Sequence, residues 1–182
     1  TQMIGKASRV ARWLAGAATA LALAAGPGMA DAVLDRGIGS EWSSLDPQVN
    51  FDAAAGWILM DAYEGLVTYG PGGEVQPGQA ESWDVSEDGK TYTFHLREGL
   101  KWSNGDPVTA QEFVDSVFRT LDPATVSEKG YYFYSVVKIK GAEAIANGEA
   151  KDASGLGVTA PDDRTVVVEM ETPAPHLLNI MG

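Results

Sequence analysis

The chain contains no cysteine and only two histidines among its 182 residues. The absence of cysteine excludes disulfide bonds, thiol nucleophiles, thiolate metal sites and a lipid-modified cysteine anchor within this sequence. His95 and His176 are far apart, and neither has a second histidine at metal-ligand spacing. An ordinary solvated or hydrogen-bonded histidine is therefore the favoured interpretation of both.

Basic residues are also scarce. The chain has 13 Lys and Arg and 25 Asp and Glu, so its formal net charge is −12. Nucleic acids and anionic membrane surfaces require clustered Lys and Arg, so this balance disfavours both as partners. The acidic residues are scattered, as in the short pairs Glu87-Asp88 and Asp162-Asp163. A solvated, acidic surface is the simpler explanation of the charge, and attraction of cationic ligands is the alternative.

Long hydrophobic runs are missing, and the longest apolar stretch, Trp13 to Ala25, is shorter than the roughly 20 residues of a membrane-spanning helix. A basic region around Lys6, Arg9 and Arg12 precedes this stretch, and the small residues of Gly28-Met29-Ala30 follow it. This order is typical of a secretory signal peptide over residues 1–30. A retained membrane anchor is the competing interpretation, and cleavage after residue 32 fits as well as cleavage after residue 30.

Motifs of the common cofactor and nucleophile sites are absent. The glycines of 70–73 are not followed by the Gly-Lys-Ser/Thr of a phosphate-binding loop. Gly155 and Gly157 fit part of a dinucleotide fingerprint, but a strand rather than a helix is predicted after them. No Gly-x-Ser-x-Gly nucleophile motif occurs. The sequence therefore predicts a protein that is not an enzyme and needs no cofactor.

The segment Glu81 to Arg119 carries the clearest local signals. Asp88-Gly89 predicts a tight hairpin turn, and alternating residues in Thr91 to Leu96 predict its return strand. Thr109 and Glu112 have the spacing of a capping box. The helix that they begin has an apolar face and ends before the Asp122-Pro123 pair. The face consists of Ala110, Phe113, Val114, Val117, Phe118 and Leu121.

Weaker patterns predict the remaining elements. The glycine at position 148 is expected to end the short helix that is predicted at 141–147. The predictions are a strand at 33–38, a helix at 53–66, a strand at 136–139, a helix at 141–147, a hairpin of 156–159 with 165–170, and a helix at 176–181. Together they indicate an α/β mixture dominated by antiparallel hairpins.

The run from Leu96 to Phe113, LREGLKWSNGDPVTAQEF, resembles the signature of the family 5 extracytoplasmic solute-binding proteins. Shorter matching pieces occur in the family's order on both sides of it. They are Ser44-Leu45-Asp46-Pro47, Tyr63 to Val67, Pro77 to Trp83, Leu156 to Thr165 and Pro173-Ala174-Pro175. The resemblance covers the chain from about Leu34 to Gly182.

The resemblance implies an α/β fold of the periplasmic binding protein type II kind. Residues 31–62 would form the start of lobe I, including its first strand. Residues 63–182 would form the extra α+β subdomain, rich in antiparallel hairpins, that packs beside lobe I. Family members continue for several hundred residues, so the chain is expected to be an N-terminal fragment truncated before lobe II.

The resemblance also implies a function. Such proteins are the oligopeptide and dipeptide receptors of ABC importers, which deliver ligand to membrane permease subunits. The expected protein is a periplasmic monomer without stable membrane insertion after signal cleavage. Alternatives within the family are receptors for nickel complexes, haem, glutathione or sugars. Outside it, a stand-alone exported interaction domain and an exported hydrolase remain open.

Two candidate ligand-binding patches follow from the resemblance. Family members place an acidic residue near the ligand just after the Leu-Asp-Pro motif, where this chain has Phe51, followed by Asp52 and Ala53. A tyrosine of the peptide receptors touches the ligand where this chain has Lys129, closely followed by Tyr131 and Tyr132. Both positions depart from the family pattern. Packing of residues 131–134 in the core is the alternative for the second patch.

Overall fold

The computed structural model describes Gly37 and residues 39–182 of the chain. The chain divides into two units, Thr1–Gly37 and Ile38–Gly182, and the elements described below belong to the second. The predicted signal peptide at 1–30 and the predicted strand at 33–38 lie outside the described residues, apart from Gly37. They remain predictions.

The second unit is a mixed α/β structure with antiparallel pairing in each of its two sheets. Its strands are β1 (Val67–Tyr69), β2 (Val75–Pro77), β3 (Ala80–Val85), β4 (Thr91–Leu96), β5 (Val158–Asp162) and β6 (Thr165–Glu169). Its α-helices are α1 (Ala53–Ala62), α2 (Ala110–Leu121) and α3 (Ala142–Ala146). Short 3₁₀ turns occur at Pro123–Thr125, Ala153–Gly155 and Leu177–Asn179, and a π-helix spans Tyr132–Val136.

The main sheet has the strand order β3-β4-β6-β5, and β1 with β2 forms a separate hairpin. The strand β4 lies inside the sheet, with Phe94 opposite Trp83 of β3 and opposite Val166 of β6. Tyr92, Phe94 and Leu96 are buried, whereas the residues between them are only partly covered. The predicted alternation and the turn at Gly89, which has a φ of 67°, are confirmed.

Helix α2 packs on the buried side of this sheet. The Glu112 carboxylate accepts a hydrogen bond from the Thr109 amide at 2.7 Å, as a capping box requires. Four residues of the predicted apolar face are buried, and Phe113 and Phe118 are half-buried. The four are Ala110, Val114, Val117 and Leu121. The helix therefore begins and ends where the sequence predicts, and its apolar face joins the core formed by β4 and β6.

Three predicted elements differ in the structure. The first helix ends at Ala62, four residues early, because the backbone of Tyr63 is extended with φ −124° and ψ 158°. The predicted strand at 136–139 is wrong, since its start belongs to the π-helix and Lys138 has a φ of 54° that breaks an extended chain. The predicted C-terminal helix at 176–181 is only a 3₁₀ turn.

Two other predictions hold within one or two residues. The helix predicted at 141–147 is α3, and Gly148, with a φ of 74°, follows its C-cap. The predicted hairpin of 156–159 with 165–170 is formed by β5 and β6, which pair from Val158 opposite Val168 to Asp162 opposite Thr165.

Candidate functional site

The segment that contains the Leu-Asp-Pro motif and leads into helix α1, here called the 43–52 loop, is organised around Asn50. This side chain is buried to 3 % exposure, and its amide nitrogen donates to the Ser44 carbonyl at 3.1 Å and to an Asp52 carboxylate oxygen at 3.0 Å. The Asn50 and Val49 amides both donate to the Asp46 carbonyl. The loop is therefore an internally hydrogen-bonded unit rather than a loose connection.

Asp52 caps α1 at its N-terminus. One carboxylate oxygen accepts the Ala55 amide at 2.8 Å, and the other accepts the Ser43 amide at 3.0 Å and the Ser43 hydroxyl at 2.5 Å. The hydrogen bond from Ala55, followed by those from Ser43, lowers the pKa of Asp52 to about 2. The carboxylate thus stays ionised and is engaged by its own loop.

This cap predicts a pH dependence of α1. Because the pKa of Asp52 is lowered on folding, its stabilising contribution is present above the ordinary carboxyl value of about 4 and is lost as the pH falls through about 2. We expect the Asp52 carboxyl carbon to titrate with a midpoint near 2 by NMR. Hydrogen exchange of the Ala55 and Gly56 amides should accelerate over the same range.

Two variants of Asp52 distinguish the effect of its hydrogen-bond acceptor from the effect of its titratable charge. Asp52→Asn keeps a good cap acceptor but removes the titration, so exchange should no longer follow this acidic transition. Asp52→Ala should speed the exchange of the Ala55 amide at every pH, because this amide loses its side-chain acceptor. A midpoint near 4 in the unmodified protein would contradict the hydrogen bonding described above.

The 43–52 loop is attached to α2 by side-chain contacts. The Arg119 guanidinium donates to both carboxylate oxygens of Asp46, at 3.0 and 2.5 Å. This bidentate hydrogen bond is the main cause that lowers the pKa of Asp46. The Gln48 side-chain amide donates to the Ser116 hydroxyl at 2.7 Å. Neither contact follows from a local sequence pattern, because the partners are separated by about seventy positions.

The chain after α2 attaches to the same loop. The Ser127 hydroxyl donates to the Gln48 carbonyl at 2.5 Å, and the Lys129 ammonium donates to the Pro47 carbonyl at 2.6 Å. Burial lowers the pKa of Lys129, and the nearby charge of Asp46 opposes this effect. The segment 127–132 and the 43–52 loop, which carry the two predicted patches, therefore meet directly.

Tyr131 and Tyr132 are exposed at the start of the π-helix, at 52 % and 42 %. The Tyr131 ring makes edge-on contacts with Tyr132 and Tyr134, with centroid separations of 6.0 and 5.9 Å. Phe133 and Tyr134 instead pack against the core. Single π-helical turns are frequent at functional sites, and this one separates the exposed tyrosines from the packed aromatic residues.

A cavity of about 770 Å³ opens beside the junction of the two segments. Pro47, Gln48 and Lys129 line part of its wall. Apolar side chains from α1, α2, the main sheet and the C-terminal turn line most of the remainder. They include Leu59, Phe113, Val117, Val158, Val166 and Ile180. The volume falls within the range of small-ligand sites in proteins.

The predicted site residues occupy different environments. The side chain of Phe51 is 60 % exposed, and Ala53, also exposed, is the first residue of α1. Asp52 and Lys129 are engaged by the protein itself, whereas Tyr131 and Tyr132 present exposed ring surface. Sequence reasoning missed the side chains that hold the 43–52 loop to α2 and to the 127–132 segment. They are Asp46, Gln48, Ser116, Arg119 and Ser127.

The histidines have local partners. His95 lies 2.9 Å from an Asp84 carboxylate oxygen, and His176 contacts the Val136 carbonyl at 3.3 Å. Within Gly37 and residues 39–182, no group of three or more His, Cys, Asp or Glu side chains is arranged to hold a metal ion. Among these same residues, no helix has the length and apolar character needed to cross a membrane.

Comparison with known proteins gives consistent matches. The family model described as bacterial extracellular solute-binding proteins, family 5 Middle, matches residues 74–182. The Haemophilus influenzae periplasmic oligopeptide-binding protein OppA is 43% identical over 78% of this chain and 26% of its own length. The probable deoxycholate-binding periplasmic protein YgiS of Escherichia coli is 43% identical over 79% of this chain and 26% of its own length.

Solved structures agree. The crystal structure of Haemophilus influenzae OppA in complex with RPPGFSPFR superposes with a TM-score of 0.74 at 42% identity, over 79% of this chain and 28% of that one. The unliganded, open form of the periplasmic murein tripeptide-binding protein MppA gives a TM-score of 0.74 at 38% identity, covering 79% of this chain and 27% of that one. The chain thus spans about a quarter of the length of the relatives it matches.

Proposed function

Because the chain belongs to the bacterial extracellular solute-binding proteins of family 5, we propose that it is part of a receptor that binds oligopeptides and delivers them to the permease of an ABC importer. The family consists of binding proteins rather than enzymes. The observation that carries the proposal is the direct contact between the 43–52 loop and the 127–132 segment, made through Lys129 and Ser127.

The domain arrangement is part of the same proposal. Residues 1–30 form the signal peptide, residues 31–62 begin lobe I, and residues 63–182 form the extra subdomain of a type II periplasmic binding protein. The antiparallel sheet of β3, β4, β6 and β5, together with α2, supports the subdomain assignment. Relatives named as periplasmic support export to the periplasm. We propose a monomer that is not a lipoprotein.

In this proposal the ligand lies against both patches. Tyr131, Tyr132 and Phe51 offer exposed aromatic surface to the side chains of a peptide. Ala53, an exposed residue at the start of α1, lies beside this surface. Lys129 lies at the junction of the two patches. Backbone hydrogen bonds with roomy side-chain contacts are typical of peptide recognition that tolerates many sequences.

The proposal is tested by binding measurements on the protein purified from the exported fraction of its own cells. Native mass spectrometry without added ligand should release small peptides, and calorimetry should detect binding of RPPGFSPFR, the peptide that one relative holds. Tyr132→Ala should raise the Kd for this peptide roughly thirtyfold, since loss of a binding hot spot costs about 2 kcal/mol. Val85→Ala, which truncates an exposed apolar side chain on β3, is the control.

A different ligand is the second candidate. A relative at 43% identity is named for deoxycholate, and the cavity beside Lys129 is lined mostly by apolar side chains. Binding of deoxycholate without binding of RPPGFSPFR would replace the peptide proposal by this one. Release of a nickel complex, haem, glutathione or a sugar would identify another ligand class, and the absence of any ligand would favour a stand-alone interaction domain.

A further inference from the structure

We propose that Lys129 is a positioning residue: its ammonium holds the 43–52 loop against the 127–132 segment, so that Phe51 and the exposed tyrosines keep a fixed relation. The hydrogen bond from Lys129 to the Pro47 carbonyl is 2.6 Å long. Its role in ligand binding rests on the proposed peptide function, whereas its effect on the loop does not.

The first support is the way in which the loop is held. The Lys129 and Ser127 side chains bind two successive carbonyls, those of Pro47 and Gln48. The Ser127 hydroxyl also accepts the Lys129 amide at 3.2 Å, so the two donors belong to one turn. A shift of this turn would therefore move both carbonyls together.

The second support is the stiffness of the loop beyond these carbonyls. The Gln48 amide donates to the Asp46 carboxylate at 3.0 Å, and the Asn50 amide donates to the Asp46 carbonyl at 2.9 Å. Asn50 in turn contacts Asp52, which caps α1. This connected set of hydrogen bonds transmits the position of Pro47 to Phe51, which lies between Asn50 and Asp52.

The third support is the placement of Tyr131. It follows Lys129 by two residues, and the Tyr132 amide donates to the Lys129 carbonyl at 3.0 Å. The backbone of Lys129 is thus part of the turn that presents the tyrosines, while its side chain contacts the 43–52 loop at Pro47. Lys129 is half-buried, so its hydrogen bond is less exposed to competition from water than a surface contact.

The test uses Lys129→Met, which keeps most of the aliphatic stem and removes the ammonium. Hydrogen exchange should accelerate about tenfold at the Gln48, Val49 and Asn50 amides, because a hydrogen bond from a charged donor is lost. Exchange in the core of β4 should stay unchanged. The Kd for RPPGFSPFR should rise about tenfold. Lys151→Met removes the same charge from an exposed lysine and should change none of these quantities.

Ser127→Ala provides a second variant at the same turn and should accelerate exchange at the same amides. Unchanged loop exchange in Lys129→Met would overturn the proposal, as would equal acceleration throughout β4, which indicates a merely structural role. Local acceleration with an unchanged peptide Kd would overturn the role of Lys129 in ligand binding. If the unmodified protein binds no RPPGFSPFR, the peptide function fails, and loop exchange alone decides whether Lys129 positions the loop.

Discussion

Replacement of Phe94 by alanine is expected to lower the free energy of unfolding by about 4 kcal/mol. The Phe94 side chain is completely buried in β4, where it lies between Trp83 and Val166 on the neighbouring strands. Removing the ring loses its transfer free energy and leaves a cavity that the paired strands cannot close by shifting. The free energy of unfolding of a domain is about 5–15 kcal/mol, so this single substitution would remove a large part of it.

Chemical denaturation followed by circular dichroism measures this effect, and Val85→Ala is the control. Val85 lies on the adjacent strand β3 but is 47% exposed, so its truncation should cost about 0.5 kcal/mol or less. Similar losses in the two variants would contradict the core assignment. The outcome bears on the candidate site, because α2, which carries Ser116 and Arg119, packs on the face that contains Phe94.

Gly141→Ala is expected to destabilise the protein by roughly 3 kcal/mol or more. Gly141 has a φ of 73°, a conformation that costs a residue with a side chain about 1 kcal/mol. In addition, a β-carbon at this position would overlap the Gly155 carbonyl. Since that contact is with backbone, relief requires α3 or the 153–155 turn to move.

Gly99→Ala is a matched control, because Gly99 has the same φ of 73° but no atom within 4 Å of an added β-carbon. The difference between the two variants in thermal or denaturant unfolding therefore reports the steric overlap alone. We expect Gly99→Ala to lose only about 1 kcal/mol. Equal losses would mean that the backbone around Gly141 and Gly155 adjusts without cost.

The sequence predicted those elements that depend on residues close to one another along the chain. The Asp88-Gly89 turn, the alternation in β4 and the capping box of α2 each depend on residues within a few positions. The strand predicted at 136–139 failed for the converse reason. Its Val137 and Ile139 are buried as a strand residue would be, but they are placed there by a π-helix and by Lys138 at positive φ. Apolar character alone does not distinguish these conformations.

The candidate site likewise combines residues that the sequence singled out with contacts that only the fold establishes. The resemblance singled out Phe51, Asp52 and Lys129, but as separate patches with ligand-contacting roles. Their spatial relation depends on contacts between residues about eighty positions apart, such as Lys129 with Pro47. A lysine that donates to a backbone carbonyl has no sequence signature, because every residue, proline included, offers a main-chain carbonyl as acceptor.

The sequence by itself determined the family, the antiparallel hairpins and the capped helix, because these follow from motif order and from propensities over short distances. Only the tertiary structure decided that Asp52 is a helix cap, that Lys129 faces the 43–52 loop and that the four aromatic residues at 131–134 divide into an exposed pair and a packed pair. The physical reason is that hydrogen-bond partners and burial depend on which distant segments the completed fold brings together.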